Sequence, residues 1–422
     1  MKEANLTVKV ITPLFMGDAK QVAELRTQSI NGILRWWFRA AGGSFEDEKR
    51  IFGWGGENSN KGGVKLVISQ KLNYNEFEKE FDSDGRVKQD KGINYLGFSL
   101  DQRFNNKQNK PRRKCIEFNQ NFDIKVIFFP NLKEEYIKKF FATLWFAFNL
   151  GNFGSRSRRG FGSLMIEKIE SECKDITNNC FGLSFNINNN QNDVKKWITD
   201  NLNKIREIIK SNPRNLIPYV FSDNFKIYRI NKVNKESYSN FSNWLTTAQK
   251  ERCGKYLKNS WGVNNINTWQ DLLDFMGFLI MAYRSYRKPD YDTAKNILKN
   301  QNIQNPVFER AIFGLSLNFF YSSLTNPKTS KNGYGDKIDL VEITNNREKQ
   351  TLRRASPLMI KILKTSSNNY EGFFIVAKSV FKPNNSRLEF KGKEVNLPKD
   401  IWLAIDNFID SLKSNNLLTK IK

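Results

Sequence analysis

Three stretches of this chain set arginines where they could grip phosphate. The densest is GNFGSRSRRGFGS, residues 151–163. Arg156, Arg158 and Arg159 offer planar forks that bind phosphate bidentately, Ser155, Ser157 and Ser163 add hydroxyl donors, and Gly154 and Gly160 let the backbone approach a ligand. No acid occurs from Gly151 to Met165, which favours phosphate contact over a merely solvated basic loop. The second stretch is ELRTQSINGILRWWFRA, Glu24 to Ala40. Ser29 can cap a helix there, Arg26 precedes an N-terminus whose amides and dipole favour an anion, and Arg35 and Arg39, four apart, share the face opposite the apolar stripe. Trp37 falls at core spacing, while Trp36 stands open between base stacking and packing. The third is REKQTLRRASPLMIKILK, Arg347 to Lys364, where Arg353 and Arg354 precede a Pro-limited strand, either as phosphate ligands or as charges guarding a sheet edge. A fourth basic run, Lys107, Lys110, Arg112, Arg113 and Lys114, lies in a polar excursion between Leu72 and Cys115 for which partial disorder is expected.

Other chemistries are excluded or weak. The 422 residues contain no histidine, which removes imidazole as base, metal ligand or pH switch. Cys115, Cys173, Cys180 and Cys253 are scattered without a C-x-x-C pair and read as reduced thiols rather than a zinc site. Asp336, Asp339 and Glu342 are spaced i, i+3, i+6, a pattern that suits a polar loop entering a strand better than a metal site. No Walker phosphate loop occurs. No cofactor and no metal is expected. Lys and Arg number 68 against 43 Asp and Glu, a net charge of +25, which favours a polyanionic partner. AT-rich coding DNA also produces diffuse lysine, so the clustered arginines carry more weight. No signal segment or membrane span is seen, and a soluble protein of the cytoplasm is expected.

The elements that must position these residues follow from periodicity. Leu6, Val8 and Val10 alternate as a strand; Ile30, Ile33, Leu34, Trp37 and Ala41 form one helical stripe; Val64 to Ile68 and Phe122 to Phe128 alternate again. A second amphipathic helix runs from Tyr136 to Phe148, and a strand through Leu164 and Ile166 follows the glycines. The order βαββαβ is that of a ferredoxin-like, RRM-like unit: an antiparallel sheet with two helices on one face, leaving the other face for a ligand. The second half shows helical patterns at Val194 to Lys210, Trp269 to Arg287 and Lys399 to Lys413, and extended ones at Pro218 to Ile230, Pro357 to Lys364 and Gly372 to Phe381. The fold class is therefore α+β in two domains, residues 1–185 and 186–422, with the seam near the Asn-rich stretch from Asn186 to Asn192.

The words ITPLFMGDAKQ, Leu25-Arg26, Ser29-Ile30-Asn31-Gly32 running into LRWWFRA, GSRSRRGFGSL, FGLSLNF and RRASPLMIK together resemble the first Cmr-type RAMP subunit of type III-B CRISPR effector complexes. That resemblance implies two ferredoxin-like RAMP domains and a place at one end of an antiviral ribonucleoprotein. It implies contact with the crRNA 3′ region or the matching single-stranded target RNA and with other Cmr RAMP subunits, catalysis belonging elsewhere. The RNA-binding positions it carries over are Arg26, Ser29, Arg35, Arg39, Gly154, Ser155, Arg156, Arg158, Arg159, Gly160, Arg353 and Arg354. Asp18 departs from the glycine usual in the family. The rival expectation is a RAMP endoribonuclease that processes precursor crRNA through Tyr, Lys, Cys or carboxylate groups, since histidine is lacking.

Overall fold

Strand β1 (Lys2–Val10) obeys its alternation: Ala4, Leu6, Val8 and Val10 are buried, and the residues between them face outward. The structure is a computed structural model that describes residues 2–17, 22–56, 59–68, 72–76, 92–98, 100, 114–177, 180–187, 193–210, 212–214, 217–231, 247, 266–285, 287–344, 348–366 and 369–422. After β1 come α1 (Thr27–Ala40), α2 (Phe45–Phe52), β2 (Val64–Val67), β3 (Tyr74–Glu76), α3 (Gly92–Leu96), β4 (Lys114–Ile116), β5 (Asn121–Phe128), α4 (Glu134–Asn149) and β6 (Leu164–Glu170). The main sheet has the order β2-β5-β1-β6, antiparallel throughout, as in a ferredoxin-like unit.

Helices α1 and α4 cover one face of this sheet. Trp37 stacks on Phe146 at 5.6 Å, and Phe140 meets Phe128 edge-on at 5.9 Å. The opposite face is polar and already paired. Lys9 meets Glu167 at 3.2 Å, Lys125 meets Glu3 at 2.7 Å, and Thr7 donates to Asp123 at 2.9 Å. Its strands present no aromatic ring there among the described residues, so this face lacks the stacking platform of an RRM.

The second half repeats the plan without repeating the sequence. After α5 (Lys174–Thr177) and α6 (Val194–Ile209), β7 (Phe225–Ile230) leads to α7 (Trp269–Arg284) and α8 (Asp290–Leu298). Then come β8 (Leu317–Thr325), β9 (Asn332–Ile343), β10 (Lys349–Leu352), β11 (Leu358–Ser366), β12 (Asn369–Ala377), β13 (Ser386–Phe390), β14 (Lys393–Val395), α9 (Leu403–Ser414) and β15 (Leu418–Lys420). The sheet β11-β12-β7-β15 is again antiparallel, and β7, α7, β11, β12, α9, β15 form a second βαββαβ series. Strands β8, β9, β10, β13 and β14 form an inserted five-stranded sheet. The closing strand β15 escaped the sequence reading because it is only three residues long.

Two interlocked cores hold the chain. Met359, Leu363, Phe373, Ile375 and Ala377 of the second sheet pack into the core of β1, α1 and α4. Their neighbours Leu358, Ile360, Ile362, Phe374 and Val376 face the other way, onto α7 and α9. Part of the excursion expected to be disordered is built into this second core. Ile93 at the start of α3 donates its amide to Asp274 of α7 at 3.0 Å, and a Cβ on Gly92 would lie 1.9 Å from the Asp274 carbonyl. Lys107, Lys110, Arg112 and Arg113, like Asp18 and Cys253, lie outside the described residues.

Candidate nucleic-acid interface

The arginine loop is wedged between the two halves. Arg158 O accepts from Ile360 N of β11 at 3.2 Å, and Asn152 Nδ2 donates to Ile360 O at 2.7 Å and to Ser157 O at 2.6 Å. Below the loop, Lys361 is fully buried and its Nζ donates to Phe148 O at 2.6 Å and Gly151 O at 2.8 Å, so an ammonium from the RRASPLMIK word caps the C-terminal end of α4. Burial drives this lysine well below its usual pKa. Two of the family words thus meet in space.

The glycines serve this packing. At Gly160, φ +84, a Cβ would stand 2.3 Å from Leu273 Cδ2 and 2.8 Å from Ile360 Cγ2. At Gly154, φ +75, it would stand 2.6 Å from Phe15 O, and Ser155 N already donates to that oxygen at 2.8 Å. The expected approach of backbone to ligand is therefore corrected at these two positions: the group approached is the protein itself.

The guanidiniums of the loop are half-buried. Arg158 lies 5.2 Å over the Trp36 ring and donates to Ser356 O. Burial, then the nearby charge of Arg354, pushes Arg158 down to about 10. Burial also pushes Arg159 down to about 10; Tyr95 opposes that shift, while Arg284 and Arg156 reinforce it. Both stay cationic at neutral pH. Arg354 donates to Ser379 Oγ at 2.9 Å, and Arg284 donates to Tyr95 Oη at 3.0 Å. The Nε atoms of Arg284 and Arg354 are buried without a partner. Among the described residues no carboxylate pairs with Arg158, Arg159, Arg284 or Arg354. A half-buried group of like charges with no internal anion is held at an electrostatic cost that a bound polyanion would relieve.

Arg35 and Arg39 belong to a different arrangement. Both reach Glu48 of α2, which is fully buried: Arg35 Nε at 2.9 Å and Arg39 Nε at 2.9 and 3.0 Å. Arg214 closes the group at 3.3 Å from Glu48 and also donates to Gly43 O at 2.6 Å. Burial alone would raise the Glu48 carboxyl, but the hydrogen bonds and charges of Arg39 and Arg35 outweigh it and hold the carboxyl below its usual value.

The helix start is also corrected. It begins at Thr27 with Arg26 as its N-cap, so Ser29 sits inside the first turn and caps nothing. An extended Arg26 backbone whose carbonyl accepts from Ser29 N and Ile30 N displaces the cap by three residues. The Arg26 side chain donates to Gly17 O at 3.4 Å, while Arg353 is exposed beside the inward-turned Arg354.

Of the expected positions, then, Arg156, Arg158, Arg159 and Arg354 come together. Trp36, Tyr95 and Arg284 join them, brought from α1, the excursion and the end of α7. Tyr95 and Arg284 had no local signal in the sequence; only the docking of α3 on α7 unites them.

A model of the RAMP superfamily matches residues 7–165. Over 186 residues the chain is 33% identical to the CRISPR system Cmr subunit Cmr1-2 of Pyrococcus furiosus, covering 40% of this chain and 97% of that relative. The chain belongs to the Cmr1 family of RAMP proteins. It is also 27% identical over 264 residues to Cmr1-1 of the same organism, covering 58% of this chain and 71% of that one. The crystal structure of Cmr1 from Pyrococcus furiosus in its apo form superposes with a TM-score of 0.53 at 18% identity, covering 100% of this chain and 99% of that one, so this RAMP chain shares its fold. Among the described residues, no cluster of three or more potential metal ligands occurs and no helix is long and apolar enough to cross a membrane.

Proposed function

We propose that this Cmr1-family chain is a non-catalytic RNA-binding and scaffolding subunit of a type III-B Cmr ribonucleoprotein, contacting the crRNA 3′ region or the matching stretch of target RNA. The observation that carries the reading is the group of Arg158, Arg159, Arg284 and Arg354, gathered from both halves, with no carboxylate among the described residues to neutralise it. Guanidinium forks suit sugar–phosphate oxygens, and Trp36 beneath Arg158 supplies an aromatic plane beside them. The names of the Pyrococcus relatives, subunits of a CRISPR system, supply the setting.

Of the twelve positions expected to bind RNA, the reading rests most heavily on Arg156, Arg158, Arg159 and Arg354. Arg35 and Arg39 contribute by holding α1 and α2 together. Binding to single-stranded RNA should fall steeply with salt: neutralising ~6–10 phosphates loses on the order of 10³–10⁵ in affinity between about 50 and 200 mM. A shallow slope would overturn the reading. So would discrete products from labelled repeat RNA incubated with the purified chain, with or without magnesium, which would point instead to the endoribonuclease.

A further inference from the structure

A second cationic site lies at the opposite end of α4 from the arginine loop. A cleft of about 780 Å³ opens between α2, the segment leading into β2 and the N-terminus of α4, a volume within the range of small-molecule sites. Lys49, Arg50, Lys61 and Lys133 line it, and among the described lining residues the one carboxylate is that of Glu46, which is 3.3 Å from Lys49 and largely exposed. Among the described residues no carboxylate pairs with Arg50, Lys61 or Lys133.

Its cations are interleaved with rings. The Arg50 guanidinium lies 5.6 Å over the Tyr136 ring and donates to its hydroxyl at 3.0 Å; Lys61 lies 4.6 Å over Phe129. The exposed guanidinium plane on Tyr136 is a surface on which a nucleobase stacks, and the lysines stand where its phosphate would lie. The walls are pre-formed. Gly63 N donates to Arg50 O at 2.7 Å, Gly63 O accepts from Phe129 N at 2.9 Å, and a Cβ on Gly63 would meet Leu132 Cδ1 at 2.5 Å.

We propose that this cleft binds a nucleoside phosphate, as one unit of an RNA strand or as a free mononucleotide. As a unit of the strand it rests on the reading above, and it adds a second grip. The 16 residues of α4 set the two sites about 24 Å apart, so one strand reaching from one to the other over the protein surface would be held at both ends.

The test uses the full chain, a fluorescein-labelled decauridylate read by anisotropy, and two variants, Arg50→Ala with Lys61→Ala and Arg158→Ala with Arg159→Ala. All four side chains are at least partly exposed, and thermal melting verifies that each variant is folded. Loss of about tenfold in the Arg50/Lys61 variant, the size expected for one lost charged contact, supports the cleft. Wild-type affinity in that variant, with loss in the Arg158/Arg159 variant, overturns the cleft and leaves the main reading intact. Loss only in the Arg50/Lys61 variant supports the cleft and overturns the main reading; loss in neither overturns both. Uridine 5′-monophosphate that raises the wild-type melting temperature but not that of the Arg50/Lys61 variant supports a free nucleotide as occupant. Photocrosslinking of 5-iodouridine RNA to Phe129 or Tyr136 supports the strand. Displacement of the labelled RNA from the Arg158/Arg159 variant by deca-glutamate at far lower concentration than by unlabelled decauridylate would make the cleft a peptide site and overturn the proposal.

Discussion

Two arginine groups less than one helix apart follow opposite logic. Around Glu48, the guanidiniums of Arg35, Arg39 and Arg214 close on a buried carboxylate and fasten α1 to α2. Around the loop at residues 151–163, Arg158, Arg159, Arg284 and Arg354 crowd together with carbonyls, hydroxyls and rings for company and no acid among the described residues. Both look alike in a sequence as arginines near aromatics. The difference is one glutamate, and it decides whether positive charge is structural or available to a polyanion.

Glu48→Ala tests the structural side most severely. Leaving three arginines around an empty, buried position should cost about 3–5 kcal/mol, lowering the melting temperature by about 3–6 °C, while RNA affinity measured well below that temperature is unchanged. The converse holds for Arg158→Ala with Arg159→Ala. RNA affinity should fall about tenfold for each lost charged hydrogen bond, and the salt slope should shrink by about one per lost phosphate contact. The melting temperature should hold or rise, because cations with no internal anion are removed. Were this pair to melt early and bind normally, the two groups would have to exchange roles.

Arg35→Ala gives a smaller, sharper comparison. It removes one of three donors to Glu48 and should cost about 1–2 kcal/mol in urea denaturation with RNA binding intact. The smallest effect is in pH. The Glu48 carboxyl lies below its usual value near 4.5 when folded, so its contribution is fully present above that value and fades as pH falls through the folded one. The stability gap between wild type and Glu48→Gln should therefore narrow as pH falls below about 4.5 and on through the lower folded value. A gap that stays constant would mean that the carboxylate charge is not what the arginines hold.

Much of the fold was legible because it rests on local periodicity. The alternation of Leu6, Val8 and Val10 and the stripe through Ile30, Leu34 and Trp37 each report which face is buried. The second ferredoxin-like series was less legible. Its sequence is interrupted by an inserted sheet, and its last strand is too short to show a period.

The site divided along the same line. Which residues lie in a glycine-rich arginine loop is a local matter. Whether Arg39 finds a carboxylate nine residues on, across the helix turn at Gly42 and Gly43, is not. Nor does anything near Tyr95 or Arg284 announce that they will share a hydrogen bond across 189 positions of chain. The glycines misled for a related reason: the same absence of a side chain that admits a ligand also admits Phe15 and Leu273.

The sheet β11-β12-β7-β15, apolar on both faces, makes the halves of this chain mutually dependent. Cutting the polypeptide near residue 190 would lay bare an entire oily surface on each fragment. Neither piece should be recoverable as a well-behaved module, yet the two co-expressed should reassemble into one particle. Evolution of such a chain is constrained accordingly: an exchange of one half between relatives must carry matching residues at 359, 363, 373 and 375, or the hybrid aggregates.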